Sequence, residues 1–315
     1  MFTLFILLLG FVPLIWGANM LVNGCTSLAK NSKISNWAIG LTIVAFGTST
    51  PEISVNVFAA FEHDNFIATG NILGSNIFNI GFILGLVFFL HPKIVKSDTL
   101  KIETIFAFIA AVVLLVVSKD HFFNHDQVNV ISRSEGIIML IFFAVFIIVL
   151  LISIKNSTSK EEESDFSRSK SIGYILMGIA LLIAGGQLIV YSARSFADYF
   201  GITERIVALI IISVGTSLPE VVTTLVASRK GNFELVLGNL VGSNVFNVFF
   251  ALGLSAIIHK ISVWPSINLD IFIHILVSTL LLSFIITKNK LLIKVVGGVL
   301  VIIYLAYLFY LLFIM

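Results

Sequence analysis

The chain has 315 residues, of which 58% are hydrophobic and only 11% are charged, and its formal net charge is +2. Soluble globular domains carry about 25% charged residues, so this composition excludes that class and indicates a protein of the lipid bilayer. The near-balanced charge, without a basic patch, excludes a nucleic-acid partner.

Ten apolar segments follow one another along the chain, each near the length of about 20 residues that crosses a hydrocarbon core. They are residues 2–28, 36–61, 66–90, 103–118, 135–154, 171–196, 204–228, 233–258, 268–287 and 291–314. The first segment has neither a basic leader region nor a cleavage site, so we expect it to remain as a helix. The sequence lacks the alternating hydrophobicity and the tight turns that are typical of a transmembrane β-barrel. The sequence therefore predicts an all-α polytopic membrane protein with ten transmembrane helices.

The positively charged residues indicate how these helices are oriented in the cell membrane. Most of the 19 Lys and Arg residues fall into the loops on one side of the ten-helix arrangement. Because positive residues favour cytoplasmic loops, both termini are predicted to lie outside. The strongly polar linker at 155–170 is then cytoplasmic, and we expect it to be a solvated loop. No segment indicates a protein partner.

The two halves of the chain repeat each other. Residues 41–86 align without a gap on residues 209–254, at an offset of 168. The strongest matches are GTSTPE at 47–52 with GTSLPE at 215–220, and GSNIFN at 74–79 with GSNVFN at 242–247. Each half holds five predicted helices, and an odd number inverts the second half in the membrane. The sequence thus predicts a five-plus-five inverted repeat, with repeats at 1–154 (motif 40–86) and 171–315 (motif 208–254) on either side of the linker.

Two carboxylates, Glu52 and Glu220, are predicted to lie deep inside apolar segments. A charge there costs on the order of a few to ten kcal/mol, and the interior of neither predicted helix offers a Lys or Arg to offset it. The glutamates occupy equivalent places in the two repeats, so we expect them to converge near the membrane midplane. A bound cation is the natural counter-charge.

A proline precedes each glutamate, Pro51 in the first half and Pro219 in the second. Proline removes a helical hydrogen bond, so we expect it to free carbonyl oxygens about one turn upstream, in residues 45–48 and 213–216. Together with carboxylates and the hydroxyls of Ser49 and Ser217, these carbonyls make an all-oxygen site. Such a site suits Na⁺, Ca²⁺ or Mg²⁺ and not a soft transition metal.

The second repeated block adds a hydroxyl and an amide on one helix face, because its Ser and Asn are four residues apart. These pairs are Ser75 with Asn79, and Ser243 with Asn247. Its glycines allow close helix approach; they are Gly70, Gly74, Gly238 and Gly242. The other asparagines of this block are expected to bond to freed backbone and not to the ion; they are Asn71, Asn76, Asn239 and Asn244.

The predicted helices lack the residue combinations of intramembrane enzymes, such as a Ser–His pair, an Asp pair or a His-Glu-x-x-His motif. His274, the one histidine inside a predicted helix, has no acidic or cysteine neighbour at ligand spacing, so we expect it to be packed or hydrogen-bonded. The lone Cys25 excludes a multi-cysteine metal site. The chain is therefore predicted not to be an enzyme and to need no cofactor. An ion channel is a further alternative to a transporter, but ion flux through a channel would be non-stoichiometric and would not require a counter-ion.

At the paired blocks the sequence resembles the cation/Ca²⁺ exchanger superfamily, in its Na⁺/Ca²⁺ exchanger branch, over essentially the whole chain. The resemblance implies a secondary antiporter that exchanges Na⁺ for Ca²⁺ by alternating access. The implied Ca²⁺ site comprises Glu52, Glu220 and the carbonyls of Thr48 and Thr216. The implied Na⁺ sites use the same glutamates with four serine hydroxyls and two backbone oxygens, from Ser49, Ser75, Ser217, Ser243, Ala45 and Ser213. Asn79 and Asn247 would complete the central position.

Two positions depart from the family pattern. Asn247 stands where the characterised archaeal exchanger and the K⁺-dependent exchangers carry Asp, so K⁺ cotransport is not expected. Ser213 stands where the first half has Ala45, and its extra hydroxyl could alter Na⁺ affinity.

The implied exchange of three Na⁺ for one Ca²⁺ would be electrogenic. The glycine-rich first and sixth segments, with Gly17 and Gly185-Gly186, resemble the helix pair that slides during transport.

The alternative is a Ca²⁺/H⁺ antiporter that uses the same two glutamates, because a buried glutamate can take a proton in place of a metal. That branch carries Gly-Asn where this chain has Gly47-Thr48 and Gly215-Thr216. The motif therefore favours Na⁺.

Overall fold

The structure, a computed structural model, describes residues 2–32, 34–92, 101–119, 129–156, 164–264, 267–286 and 289–314. The helices are α1 (Phe2–Ser32), α2 (Asn36–Thr48 and Thr50–Phe61), α3 (Asn65–Leu90), α4 (Lys101–Val117), α5 (Arg133–Asn156), α6 (Arg168–Phe200), α7 (204–216 and Leu218–Arg229), α8 (Phe233–Ile258), α9 (Asn268–Ile286) and α10 (Lys290–Phe313). Two short strands, β1 (Val130–Ile131) and β2 (Ile261–Ser262), pair antiparallel.

Each of the ten predicted segments coincides with one of these helices, which confirms the all-α membrane fold. Within the described ranges, seven helices are long and apolar enough to cross a membrane by themselves, and α2 makes an eighth if its two parts count as one span. Helix α5 continues to Asn156 and α6 begins at Arg168, so the predicted linker at 155–170 is shorter at both ends. Its residues 157–163 lie outside the described part.

The internal repeat is present in the backbone as well as in the sequence. Helices α2, α3, α7 and α8 each contain a π-helical stretch, at Gly40–Val44, Phe78–Leu84, Val207–Ile212 and Phe246–Leu252. The second and fourth stretches are related by the same offset of 168 residues that aligns the sequences. Stretches of this kind are rare and frequently occur at functional sites.

The chain forms two compact units, and each unit contains segments from both sequence halves. The first unit comprises Met1–Pro51, Ala144–Gly201 and Gly215–Ser243, and the second comprises Glu52–Phe143, Ile202–Val214 and Asn244–Met315. The first unit therefore holds Glu220 and the second unit holds Glu52.

In the first unit, α1 and α6 pack antiparallel with their backbones in contact. A Cβ atom on Gly17 would lie 2.8 Å from the carbonyl oxygen of Gly178, and one on Gly24 would lie 2.8 Å from that of Ser171. Further along α6, a Cβ on Gly186 would meet the rings of Pro51 and Pro219 at 3.9 and 3.8 Å. Small residues allow this approach, as is usual where membrane helices pack closely.

In the second unit, a buried ion pair connects three helices. Arg205 of α7 donates to an Asp270 carboxylate oxygen of α9 at 2.8 Å, and the Tyr307 hydroxyl of α10 donates to the other oxygen at 2.8 Å. Asp270 is fully buried, and Glu103, in the first turn of α4, is 4% exposed. The expectation that Glu52 and Glu220 are the two buried carboxylates was therefore incomplete. Asp270 and Glu103 lie in the first turns of their helices, near polar sequence, and so lack the apolar flanks that mark the other two.

We predict that Gly178→Ala destabilises the protein by about 1–3 kcal/mol, because its Cβ would lie 2.7 Å from the backbone nitrogen of Leu21. Gly173→Ala on the same helix is the matched control, since its Cβ would meet nothing within 4 Å. The measurement is the thermal unfolding midpoint of both purified variants in detergent. Equal midpoints for the two variants would contradict the close α1–α6 packing.

Candidate cation-binding clusters

Helices α2 and α7 are interrupted at equivalent places, next to the two motif prolines. Ser49 and Ser217 occupy the interruptions with φ/ψ of −80°/1° and −82°/4°. This region of backbone conformation is sparsely populated and is common at functional sites. Each glutamate then lies in the first turn of the helix that restarts, so the interruption determines where its carboxylate is placed.

The first unit places Glu220 in a cluster of hydroxyl groups, which we call the Glu220 cluster (Ser49, Glu220 and Ser243). The side chain of Glu220 is fully buried. The hydroxyls of Ser49 and Ser243 each donate to its Oε1 at 3.2 Å. Its Oε2 is also buried and has no hydrogen-bond partner within the part of the chain that the structure describes. The carboxylate therefore retains an oxygen that a cation or a proton could occupy.

Thr48 and Ala45 of the first repeat make hydrogen bonds to other residues of the first unit. The Thr48 hydroxyl donates to Asn239 Oδ1 at 3.0 Å, so this hydroxyl is committed to the protein. The carbonyl of Ala45 accepts the backbone N–H of Ser49 at 3.0 Å. The expectation that Pro51 frees the carbonyls of residues 45–48 is therefore wrong for Ala45, because the helix continues its hydrogen bonding as far as Ser49.

The second unit places Glu52 in a related cluster, the Glu52 cluster (Glu52, Ser75 and Ser213), whose third member is the counterpart of Ala45 and not of Ser49. Glu52 is fully buried, and Ser75 Oγ lies 3.5 Å from its Oε1. The same Ser75 hydroxyl donates to the Ser213 carbonyl at 3.1 Å. The extra hydroxyl of Ser213 donates to the carbonyl of Leu209 within its own helix at 2.5 Å. The side chain that distinguishes Ser213 from Ala45 is therefore used locally.

Buried asparagines form a third group, within the second unit. Asn247 Nδ2 donates to Asn76 Oδ1 at 3.0 Å, and Asn76 Nδ2 donates to the Asn244 carbonyl at 3.2 Å. His274 Nε2 lies 3.4 Å from Asn76 Nδ2, so this histidine is hydrogen-bonded, as expected. Among the described residues, Asn247 Oδ1 and both amide atoms of Asn79 are buried without a partner. Amide oxygens left in this way are available as cation ligands.

Asn71 satisfies the expectation that the remaining asparagines bond to backbone. Its Nδ2 donates to the Glu52 carbonyl at 3.4 Å and to Asn56 Oδ1 at 2.7 Å. Asn56, which the sequence did not single out, donates in turn to the carbonyl of Ala68 at 2.6 Å. These contacts hold the backbone around Glu52 in place.

All twelve residues predicted as cation ligands are fully buried, with 0% exposure. The first unit contains Ala45, Thr48, Ser49, Thr216, Ser217, Glu220 and Ser243, and the second contains Glu52, Ser75, Asn79, Ser213 and Asn247. No group of three His, Cys, Asp or Glu side chains that could hold a metal occurs among the described residues. Neutral oxygen groups around single carboxylates therefore dominate the clusters, which suits hard cations.

Comparison with known proteins gives consistent matches along the chain. The family model described as sodium/calcium exchanger protein matches residues 2–152 and 170–313. The putative antiporter CaxA of Alkalimonas amylolytica is 37% identical over 265 residues, which cover 81% of this chain and 80% of that protein. The sodium/calcium exchanger MaX1 of Methanosarcina acetivorans is 30% identical over 318 residues, which cover 90% and 91%.

A solved structure of the sodium-calcium exchanger NCX_Mj, soaked with 10 mM Na⁺ and zero Ca²⁺, superposes with a TM-score of 0.80. The sequences are 27% identical, and the match covers 97% of both chains. This agreement confirms the fold, and the family is one of transporters and not of enzymes. The chain is a multi-pass membrane protein that belongs to the sodium/calcium exchanger family.

Proposed function

We propose that this protein exchanges Na⁺ for Ca²⁺ across the cell membrane by alternating access. The observation that carries the proposal is the buried Glu220 carboxylate, whose Oε1 accepts two serine hydroxyls while Oε2 has no partner in the described part of the chain. A carboxylate buried in this way needs a positive partner. The transported cation supplies it, and the exchanger names of the relatives support Na⁺ and Ca²⁺ as the ions.

The repeated Gly-Thr motif favours Na⁺ over H⁺ as the counter-ion. A proton needs a single acceptor atom, whereas hard cations take several oxygen ligands, six to eight in the case of Ca²⁺. The clusters supply hydroxyl oxygens from Ser49, Ser75 and Ser243 and an amide oxygen from Asn247, in addition to the carboxylates. A Ca²⁺/H⁺ antiporter would need such a set for its Ca²⁺ as well, so the preference for Na⁺ rests on Gly47-Thr48 and Gly215-Thr216, where the Ca²⁺/H⁺ branch carries Gly-Asn.

We assign the ligands as the inverted repeat predicts. Ca²⁺ is bound by Glu52 and Glu220 with the carbonyls of Thr48 and Thr216, and Asn79 and Asn247 complete the central position. Na⁺ ions use the same glutamates with the serine hydroxyls and with the carbonyls of Ala45 and Ser213. Because the two ions need the same carboxylates, only one set is bound at a time, and transport becomes an obligatory exchange.

The moving element that we propose is the α1–α6 pair. Its glycine contacts bring backbone close to backbone, which suits sliding, and Gly186 passes beside Pro51 and Pro219 at the interruptions of α2 and α7. In the proposed orientation both termini lie outside and the 155–170 linker is cytoplasmic, between repeats at 1–154 and 171–315. The β1–β2 pairing is consistent with the ten-helix topology, since it joins two loops that this topology puts on the same side of the membrane.

The first prediction concerns the driving ion. Proteoliposomes loaded with Na⁺ should take up radioactive Ca²⁺, and vesicles loaded with K⁺ should not. Replacement of all K⁺ by choline should leave the Na⁺-driven uptake unchanged, because the site carries only two formal negative charges. Uptake driven by a proton gradient without Na⁺ would instead identify a Ca²⁺/H⁺ antiporter, and a requirement for K⁺ would contradict K⁺ independence.

A second prediction concerns charge movement. Three bound Na⁺ ions leave a net charge of +1 against two glutamates, whereas one Ca²⁺ leaves none, so each Ca²⁺ that enters moves one positive charge outward. One charge in a potential of 100 mV corresponds to about 2.3 kcal/mol. Initial Ca²⁺ uptake into Na⁺-loaded vesicles should therefore be faster when a potential positive inside is imposed, and slower when the potential is reversed. Uptake that does not respond to voltage would contradict this stoichiometry.

A further inference from the structure

His274 of α9 lies at one end of a buried hydrogen-bond chain in the second unit. Its Nε2 is 3.4 Å from Asn76 Nδ2, and Asn76 Oδ1 accepts Asn247 Nδ2 at 3.0 Å. The three side chains are all fully buried. This chain of hydrogen bonds ends at Asn247 Oδ1, which has no hydrogen-bond partner among the residues described.

The direction of every hydrogen bond in this chain follows from one fixed acceptor. The carbonyl oxygen of Asn244 can only accept, so the Asn76 amide atom 3.2 Å away from it is the nitrogen. Asn76 Oδ1 therefore points to Asn247, and the Asn247 atom that meets it is the donor Nδ2. Consequently the Asn247 amide is oriented with its oxygen, and not its NH₂ group, directed away from Asn76.

The second N–H of the Asn76 amide donates a hydrogen bond to Nε2 of the His274 imidazole. Nε2 must act as an acceptor there, which requires the neutral ring with its proton on Nδ1. If the Asn76 amide turned over, its oxygen would face the Asn244 carbonyl, and His274 would have to carry its proton on Nε2. With the proton on Nδ1, His274 therefore stabilises the same orientation of Asn76 that the Asn244 carbonyl sets, and with it the orientation of Asn247.

We propose that His274 is a positioning residue, which acts through Asn76 to present the Asn247 amide oxygen to the transported cation. The inference rests on the proposed role of Asn247 as a cation ligand. An amide has a positive and a negative end, so a ligand asparagine must be held with its oxygen toward the ion. A carboxylate has two equivalent oxygens and needs no such control. Dependence on His274 should therefore exist for Asn247 and disappear for an aspartate in the same place.

The test measures equilibrium Ca²⁺ binding to the purified protein in detergent, in the absence of Na⁺. His274→Leu should raise the dissociation constant for Ca²⁺ about fivefold, the effect of one lost hydrogen bond. His274→Gln, whose side-chain amide can offer an acceptor oxygen at similar reach, should remain close to the wild type. In the Asn247→Asp background, His274→Leu should have no additional effect, which also shows that the leucine variant folds.

Two outcomes would overturn the proposal: unchanged Ca²⁺ binding in His274→Leu, or the same loss in both backgrounds, which would indicate a role in packing only. Failure of the proposed function would be recognised separately. A wild-type protein that binds Ca²⁺ but shows no Na⁺-driven uptake would refute Na⁺ exchange and leave the positioning role of His274 intact. A wild-type protein that binds no Ca²⁺ would refute both.

Discussion

Burial of a carboxylate at membrane depth is the constraint on which the rest of this structure depends. Glu220 lies where an ionised group is costly, and the groups that donate to it are neutral hydroxyls, from Ser49 and Ser243. Hydroxyl groups orient the carboxylate but do not neutralise it. The protein is therefore complete only with a cation or a proton in place, and this requirement links the fold to transport.

The backbone is arranged to satisfy that requirement. Prolines and the interruptions at Ser49 and Ser217 place each glutamate at the start of a new helical segment. Glycines then bring neighbouring helices close enough for short side chains to meet. A Cβ on Gly242 would lie 2.8 Å from that of Ala45, which shows how little space separates α8 from α2. The serine hydroxyls reach the carboxylates because the backbones approach so closely.

Much of this could be predicted from the sequence, since hydropathy, the inverted repeat and the doubled motifs are all local or periodic signals. They predicted ten helices and twelve buried candidate ligands. Asp270 escaped notice because it lies in the first turn of its helix, and its partners Arg205 and Tyr307 are distant in sequence. The Ala45 carbonyl was misjudged because the hydrogen bonding of α2 continues up to Ser49. The orientation of Asn76 depends on Asn244 and His274, and only three-dimensional contacts reveal it.

Competition between Na⁺ and Ca²⁺ for the same carboxylates is the central claim, and an equilibrium binding measurement tests it most directly. The dissociation constant for Ca²⁺ should be measured over a range of Na⁺ concentrations for the wild type, Glu220→Gln and the control Glu234→Gln, whose side chain is exposed at the start of α8. We expect Na⁺ to weaken Ca²⁺ binding steeply, with more than one Na⁺ displacing each Ca²⁺, in the wild type and the control. Glu220→Gln should lose Ca²⁺ binding. Wild-type binding and competition in Glu220→Gln would contradict the account.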